Sequence, residues 1–303
     1  MNMPPLVTVL ICTHKLSENF FASIDSACSQ NYTNLFLTVF FDGVNHTSQD
    51  LHRLTTICNK YKRRYSYILE DINVGLTAGL CTLQSRFPSD FYARLDVGDT
   101  WDPSKISKQI DFMLFNRCSI VGTRSRYIQN DAQLGLGPNI PCDSNLIIDR
   151  IRSFRGVYDH SSILFSGIYK YNPSWYYSQD MMLYVDIANK GGAFGFIAEA
   201  LTNVLCNSEG ITISNRPLQL YFEKEARIRL YKDDLLCTQP KHYTELKKPV
   251  AMFSFFYRNF ITAMQANMYI RAYICLLVAC ILDLRILVYY SDRIKSRLSL
   301  PIQ

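Results

Sequence analysis

No Cys-x-x-Cys pair occurs in this 303-residue chain, although it carries ten cysteines. Thiols scattered in this way predict free cysteines in a reducing cytoplasm rather than a disulfide framework. Apolar runs long enough to span a membrane, roughly 18 to 20 residues, are also missing. The longest uncharged stretches towards the C-terminus are 259–270 and 272–282, separated by Arg271 and followed by Asp283 and Arg285. The first residues lack a basic segment and a small-residue cleavage site, and their apolar run is only strand length, which predicts neither a signal peptide nor an N-terminal anchor. There is no low-complexity tract and no internal repeat. With 48% hydrophobic and 19% charged residues, the chain reads as a folded protein of about two domains.

Charge is present but unevenly placed. Residues 1–222 carry 19 Lys+Arg and 19 Asp+Glu, whereas residues 223–303 carry 13 against 7, so the entire net charge of +6 lies in the last part. The expected division is therefore a neutral domain over 1–222 and a basic, apolar helical region over 223–303.

Strands and helices alternate through the first hundred residues. Residues 6–12 form a continuous β-rich apolar run, stopped by Thr13-His14-Lys15. Ser17 then caps a helix with Phe20, Phe21, Ile24, Ala27 and Cys28 at helical spacing. Residues 35–41 predict a second buried strand ending at Asp42-Gly43, residues 49–61 a helix, residues 65–69 a third strand, and Asn73 to Leu76 the opening of another helix. The stretch 91–109, FYARLDVGDTWDPSKISKQ, is the centre of the pattern. It predicts a buried strand, a turn at Gly98, and a helix with Asp102 at the N-cap and Pro103 in its first turn. Such alternation implies a mostly parallel sheet with helices on both faces. Three strands then end at Thr13-His14, Asp42 and Asp96/Asp99 on a single rim. That is the edge where open α/β sheets bind ligands, and paired carboxylates there suit a divalent metal and phosphate oxygens.

These residues carry a resemblance to inverting glycosyltransferases of family 2, which have the GT-A fold. It covers roughly residues 5–220. The P-T-Y-N of many members is similar to Cys12-Thr13-His14-Lys15, and D-D-G-S to Phe41-Asp42-Gly43-Val44. The family's N-x-G-L is present as Asn73 to Leu76. Its A-R-M-D-A-D-D and following Pro and Gln resemble Ala93-Arg94-Leu95-Asp96-Val97-Gly98-Asp99 with Pro103 and Gln109. Asp159-His160-Ser161-Ser162-Ile163-Leu164-Phe165 resembles an H-P-T-V-M-F strand. Gln179-Asp180 matches an E-D pair that opens a helix running to Gly191-Gly192. Gly98 departs from the pattern, standing where many members have a second aspartate.

The resemblance implies a nucleotide site made from Thr13, His14, Asp42, Asn73, Arg94 and Asp96. It implies a divalent metal, Mn2+ or Mg2+, on Asp96 and Asp99 with His160 as a further ligand, and Asp180 as the base that deprotonates an acceptor hydroxyl. Each has a plainer reading: Thr13 finishing a strand, Asp42 making a turn, His160 hydrogen-bonded in the core, Asp180 favouring a helix dipole. Residues 120–127 predict a further strand, 134–149 an acceptor-facing loop, and 218–236 a helix. In residues 250–290 the apolar pattern carries Arg258, Arg271 and Arg285, followed by Arg293, Lys295 and Arg297, which suits an amphipathic segment lying on an anionic leaflet. The alternative is a helical appendage packed on the catalytic domain or on a second subunit.

The whole then reads as an enzyme peripherally associated with the cytoplasmic face of the inner membrane. It would transfer one sugar from a nucleoside-diphosphate sugar to a polyprenyl-diphosphate-linked oligosaccharide in surface polysaccharide or O-antigen synthesis, with no nucleic-acid partner. The Q-x-x-R-W motif of processive relatives is absent, since tryptophan occurs only at positions 101 and 175. The Gly-rich signature of sugar-phosphate nucleotidyltransferases is also absent. Gly98 and the Gln at 179 leave a second reading open, that of a non-catalytic nucleotide- or partner-binding subunit.

Overall fold

The computed structural model describes residues 3–130, 132–153, 156–206 and 216–232. Among the described residues nine strands form one sheet: β1 (Val7–Thr13), β2 (Leu35–Asp42), β3 (Arg64–Glu70), β4 (Phe91–Arg94), β5 (Thr100–Trp101), β6 (Ile120–Gln129), β7 (Ala132–Leu136), β8 (Leu164–Ser166) and β9 (Phe194–Leu205). Their order is β3-β2-β1-β4-β8-β6-β9-β5, with β7 added to β6 as a hairpin. The first four strands are parallel, as the alternating sequence requires. Beyond β4 the sheet is mixed. β8 runs antiparallel to both β4 and β6, β9 returns parallel to β6, and β5 pairs antiparallel with β9. The expectation of a mostly parallel sheet therefore holds only for the first half. The second half departs because β8, reached from β6 through a hairpin strand, a helix over Ser144–Arg152 and the turn at His160–Ser162, enters between β4 and β6 running opposite to both.

Helices cover both faces. On one side α1 (Glu18–Cys28), α2 (Ser48–Lys60) and α4 (Lys105–Asn116) bury Phe20, Ile24, Leu54, Ile106 and Ile110 against Val9, Val39 and Leu164. On the other, α3 (Leu76–Arg86), α5 (Ser144–Arg152), α6 (Gln179–Asn189) and α7 (Arg216–Lys232) bury Leu80, Ile147, Tyr184 and Phe222 against Leu10, Phe40 and Phe165. Successive strand residues thus feed alternate cores, the physical basis of a doubly covered sheet.

Some local expectations shift. α4 begins at Lys105 rather than at Pro103. Asp102 instead accepts hydrogen bonds from the Ser104 amide (2.9 Å) and hydroxyl (2.6 Å), and this turn delays the helix. The loop expected over 134–149 narrows to 137–143, between strand β7 and helix α5, the latter capped by Asp143 accepting from the Leu146 amide at 2.9 Å. α7 crosses the boundary expected after residue 222, and its Phe222, Ala226 and Leu230 belong to the core. The basic stretch 233–303 lies outside the described residues, and with it the apolar pattern of 250–290. Among the described residues no helix is long and apolar enough to cross a membrane.

Candidate active site

The parallel registers set the rim. Thr13 is level with Phe41, and Leu10 with Arg94, so Thr13, Asp42 and the segment after Arg94 emerge along one edge. Thr13 is buried, and its hydroxyl donates to the Lys15 carbonyl at 2.6 Å, closing a tight turn that leaves His14 exposed. Asp42 is also buried. Its carboxylate accepts from the amides of Val74 (2.6 Å) and Gly75 (3.0 Å), while the Asn73 side-chain amide reaches the Asp42 carbonyl at 3.3 Å. Asp42 therefore anchors the loop that opens α3. A Cβ on Gly43 would lie 2.4 Å from the Asn73 nitrogen, so only glycine allows this approach.

The acidic turn after β4 is held from below and from both sides. Arg94, 1% exposed, spends its guanidinium on the Leu10 carbonyl (2.9 Å), the Leu95 carbonyl and the Asp96 carboxylate. It acts on the rim through Asp96 rather than by direct contact. Burial pushes the Asp96 carboxyl up, but the Arg94 charge and the Ser161 hydrogen bond prevail and hold it below the usual carboxylate range. Ser23, the polar interruption in the apolar stripe of α1, donates to the Asp99 carbonyl (2.8 Å) and accepts from the Gly98 amide (2.9 Å). Gly98 has φ +101°, and a Cβ there would also stand 3.0 Å from Leu205. One Asp99 oxygen accepts from the Leu205 amide at 2.9 Å. Burial, reinforced by the Asp96 charge, raises Asp99 to about 7.

Ser161 completes this turn from the other side. Its hydroxyl accepts from the Asp96 amide at 2.9 Å, and its carbonyl accepts from the Trp101 indole at 2.8 Å. His160 points one ring nitrogen at the Tyr171 hydroxyl (2.7 Å) and the other towards Asp96, 3.9 Å away. Burial keeps it neutral, pulling it down to about 3. Asp159 is bridged by the Tyr127 hydroxyl at 3.3 Å to each oxygen, and burial raises it. Sequence reasoning missed Ser23, Ser161, Tyr171 and Asp159. Ser23 had a legible signal, a hydroxyl inside an apolar helical stripe; the others declare themselves only once β8 is folded beside β4.

Asp180 lies in the first turn of α6, half-buried. Ser178 precedes it with φ +49° and donates its hydroxyl to the Gln219 carbonyl of α7 at 2.9 Å. Trp175 is clamped between the Thr77 hydroxyl (2.7 Å) and the edge of Phe222, with ring centroids 5.3 Å apart. α3 and α7 thus hold the segment that presents Asp180. Burial chiefly, with the charges of Glu223 and Asp96, raises Asp180 to about 6. The charges of Asp96 and Asp180 both act on Tyr171, and that of Asp96 on Asp180, so the acidic turn lies within electrostatic range of the helix start.

For a divalent cation the donor chemistry fits. Asp96 is partly exposed, one Asp99 oxygen is not engaged by the Leu205 amide, and the His160 nitrogen is neutral. Among the described residues no group of three or more His, Cys, Asp or Glu is arranged to enclose an ion. A cation held by one or two carboxylates would take its remaining ligands from phosphate oxygens.

A match to the model of Glycosyl transferase family 2 covers residues 8–173, from β1 to the segment before α6. The chain belongs to this family. An uncharacterized glycosyltransferase of Haemophilus influenzae is 24% identical over 208 residues, covering 62% of this chain and 61% of that protein. The O-antigen biosynthesis glycosyltransferase WbnJ of Escherichia coli is 24% identical over 162 residues, covering 53% of this chain and 61% of that protein. The chain therefore spans about 61% of the length of these curated relatives. Among solved structures, Staphylococcus aureus TarS (residues 1–349, with UDP) aligns with a TM-score of 0.56 at 11% identity, covering 88% of this chain and 89% of that one. The mannosyltransferase PcManGT of Pyrobaculum calidifontis, with GDP-Man and Mn2+, aligns with a TM-score of 0.58 at 13% identity, covering 97% and 84%. Both share the GT-A fold, a mixed sheet with helices on both sides.

Proposed function

We propose that this family 2 protein transfers a single sugar, with inversion, from a nucleoside-diphosphate sugar to a hydroxyl of a lipid-linked oligosaccharide in surface polysaccharide synthesis. The observation that carries the reading is the placement of Asp180. This half-buried carboxylate stands at the start of α6, on a segment held by the Thr77 hydroxyl and the Gln219 carbonyl, and burial raises it to about 6 with the Asp96 charge within range. Thr13, His14, Asp42 and Asn73 line the rim for the nucleoside, Asp42 by fixing the 73–75 loop. Arg94 keeps Asp96 ionised. Asp96 and Asp99, with His160 beside them, would hold Mn2+ or Mg2+. When bound, the metal supplies Lewis-acid stabilisation of the leaving diphosphate. Asp180 accepts the proton of the acceptor hydroxyl, at a basicity that leaves it largely ionised near neutral pH. One base opposite the leaving group gives direct displacement and inversion.

WbnJ, an O-antigen biosynthesis enzyme by name, supports the assignment to polysaccharide synthesis, and PcManGT, solved with GDP-Man and Mn2+, supports a nucleotide-sugar donor with metal. Of the basic region over 223–303, the part beyond α7 is proposed to lie on the anionic cytoplasmic leaflet, where a polyprenyl-linked acceptor resides. The test is a panel of nucleotide sugars, followed by donor hydrolysis, transfer and thermal shift with and without Mn2+. Metal-dependent donor binding with turnover is the expected result. Neither turnover nor metal-dependent binding would favour the non-catalytic subunit that Gly98 also suggests.

A further inference from the structure

β3 ends the sheet and pairs with β2 alone; among the described residues no strand lies on its other side. The Glu70 carbonyl accepts from the Gly43 amide at 2.9 Å, so Glu70 turns its carbonyl towards β2. Backbone groups alternate sides along a strand. Ser66 and Ile68 therefore turn theirs inward with Glu70, while Tyr65, Tyr67 and Leu69 offer amides and carbonyls to the open edge. Exposed edges are commonly blunted by proline, a bulge or inward charge. β3 contains no proline, and its register with β2 has no irregularity. Tyr67 and Leu69 are 36% and 42% exposed, and Ile72 just beyond is 67% exposed.

Charge along this edge is polarised. Lys62 and Arg64, both exposed, mark its start, and Glu70 and Asp71 mark its end. We propose that β3 is a homodimer interface, in which two copies of this chain add their edge strands antiparallel about a two-fold axis through Tyr67. In that register Tyr67 meets itself as a hydrogen-bonded pair, Tyr65 meets Leu69, Ser66 meets Ile68, and Arg64 meets Glu70 of the second copy. A parallel approach would set Arg64 against Arg64 and Glu70 against Glu70, so the charge pattern selects the antiparallel one. A two-fold closes on itself and uses up the β3 edge of both copies. The pairing also covers Tyr67 and Leu69, which lie with Tyr65 on the α2 face, where Tyr65 donates to the Thr55 hydroxyl and Tyr67 packs edge-on against Phe41. The two rims remain open, because the pairing uses the outer edge of β3 and none of Thr13, Asp96, Asp99 or Asp180.

The test is sedimentation velocity of the full chain over a concentration series. The interface predicts a reversible dimer. Either Arg64→Glu or Glu70→Arg alone sets two like-charge pairs in the dimer and weakens it by about tenfold or more. The double variant Arg64→Glu with Glu70→Arg restores the complementary pattern and with it the dimer. Tyr67→Pro removes the central amide donor and abolishes dimerisation. A wild-type chain that stays monomeric at its highest soluble concentration overturns the proposal. So does a dimer that survives Tyr67→Pro, or single reversals that the double variant does not rescue. The double variant, which keeps composition and charge, distinguishes loss of the interface from loss of the fold.

Discussion

At Gly98 the backbone decides the side chain. With φ +101° and Leu205 against the missing Cβ, a second aspartate at this position would need a different turn. Gly98→Ala is expected to cost about 1 to 3 kcal/mol, read as a lowered midpoint in urea denaturation. Gly98→Asp, which installs the carboxylate found in many family members, should cost at least as much. A second prediction concerns Asp180. As a base its carboxylate must be ionised, so kcat/KM should rise with pH through about 6 and then level. The sign for stability is the reverse. The folded carboxyl keeps its proton up to about 6, whereas an unfolded aspartate loses it near about 4. The folded state therefore binds more protons over that interval. The stability gained from the protonated group is present below it and lost as pH rises through it. Asp180→Asn should remove this part of the pH dependence, as measured by denaturation at pH 4, 5, 6 and 7.

At the scale of elements, Asp42 ties β2 to the start of α3. Asp42→Ala should lower stability by about 1 to 2 kcal/mol, since the amides of Val74 and Gly75 lose their buried acceptor. Asp42→Asn, which keeps one oxygen, should lower it less; equal losses would argue against the carboxylate as anchor. Much of this level was legible from residue pattern. The apolar runs at 6–12 and 35–41 became β1 and β2 almost to the residue, because a strand buried on both faces leaves little room for polar interruptions. Glycine and proline marked the loop at 137–143 but overextended it to 134–149, where the end of β7 and the start of α5 form. Hairpin pairing with β6 and the Asp143 cap outweigh local propensity there. The acidic turn was visible as Asp96 and Asp99, but its support was not. Ser161 and Tyr171 reach it only through the antiparallel passage of β8 beside β4, a long-range pairing that no local pattern encodes.

For the whole molecule, the charge asymmetry carries the proposal about location. Residues 223–303 hold the net +6, of which the stretch beyond α7, 233–303, keeps +4 with 9 Lys+Arg against 5 Asp+Glu, and a basic segment near an anionic leaflet is attracted by about 1 kcal/mol per Lys or Arg. A chain ending at Pro249 should leave vesicles containing anionic lipid, and the full chain should be released from them by raised salt. Sedimentation of the shortened chain with such vesicles would contradict the assignment. The enzymatic account itself turns on whether Asp180 serves the chemistry and not the fold or the donor. The most direct measurement compares wild type with Asp180→Asn for sugar transfer, alongside calorimetry of donor binding in Mn2+. The account predicts transfer reduced by about 10²- to 10⁴-fold with donor affinity nearly unchanged. Transfer at the wild-type rate in the variant would contradict it.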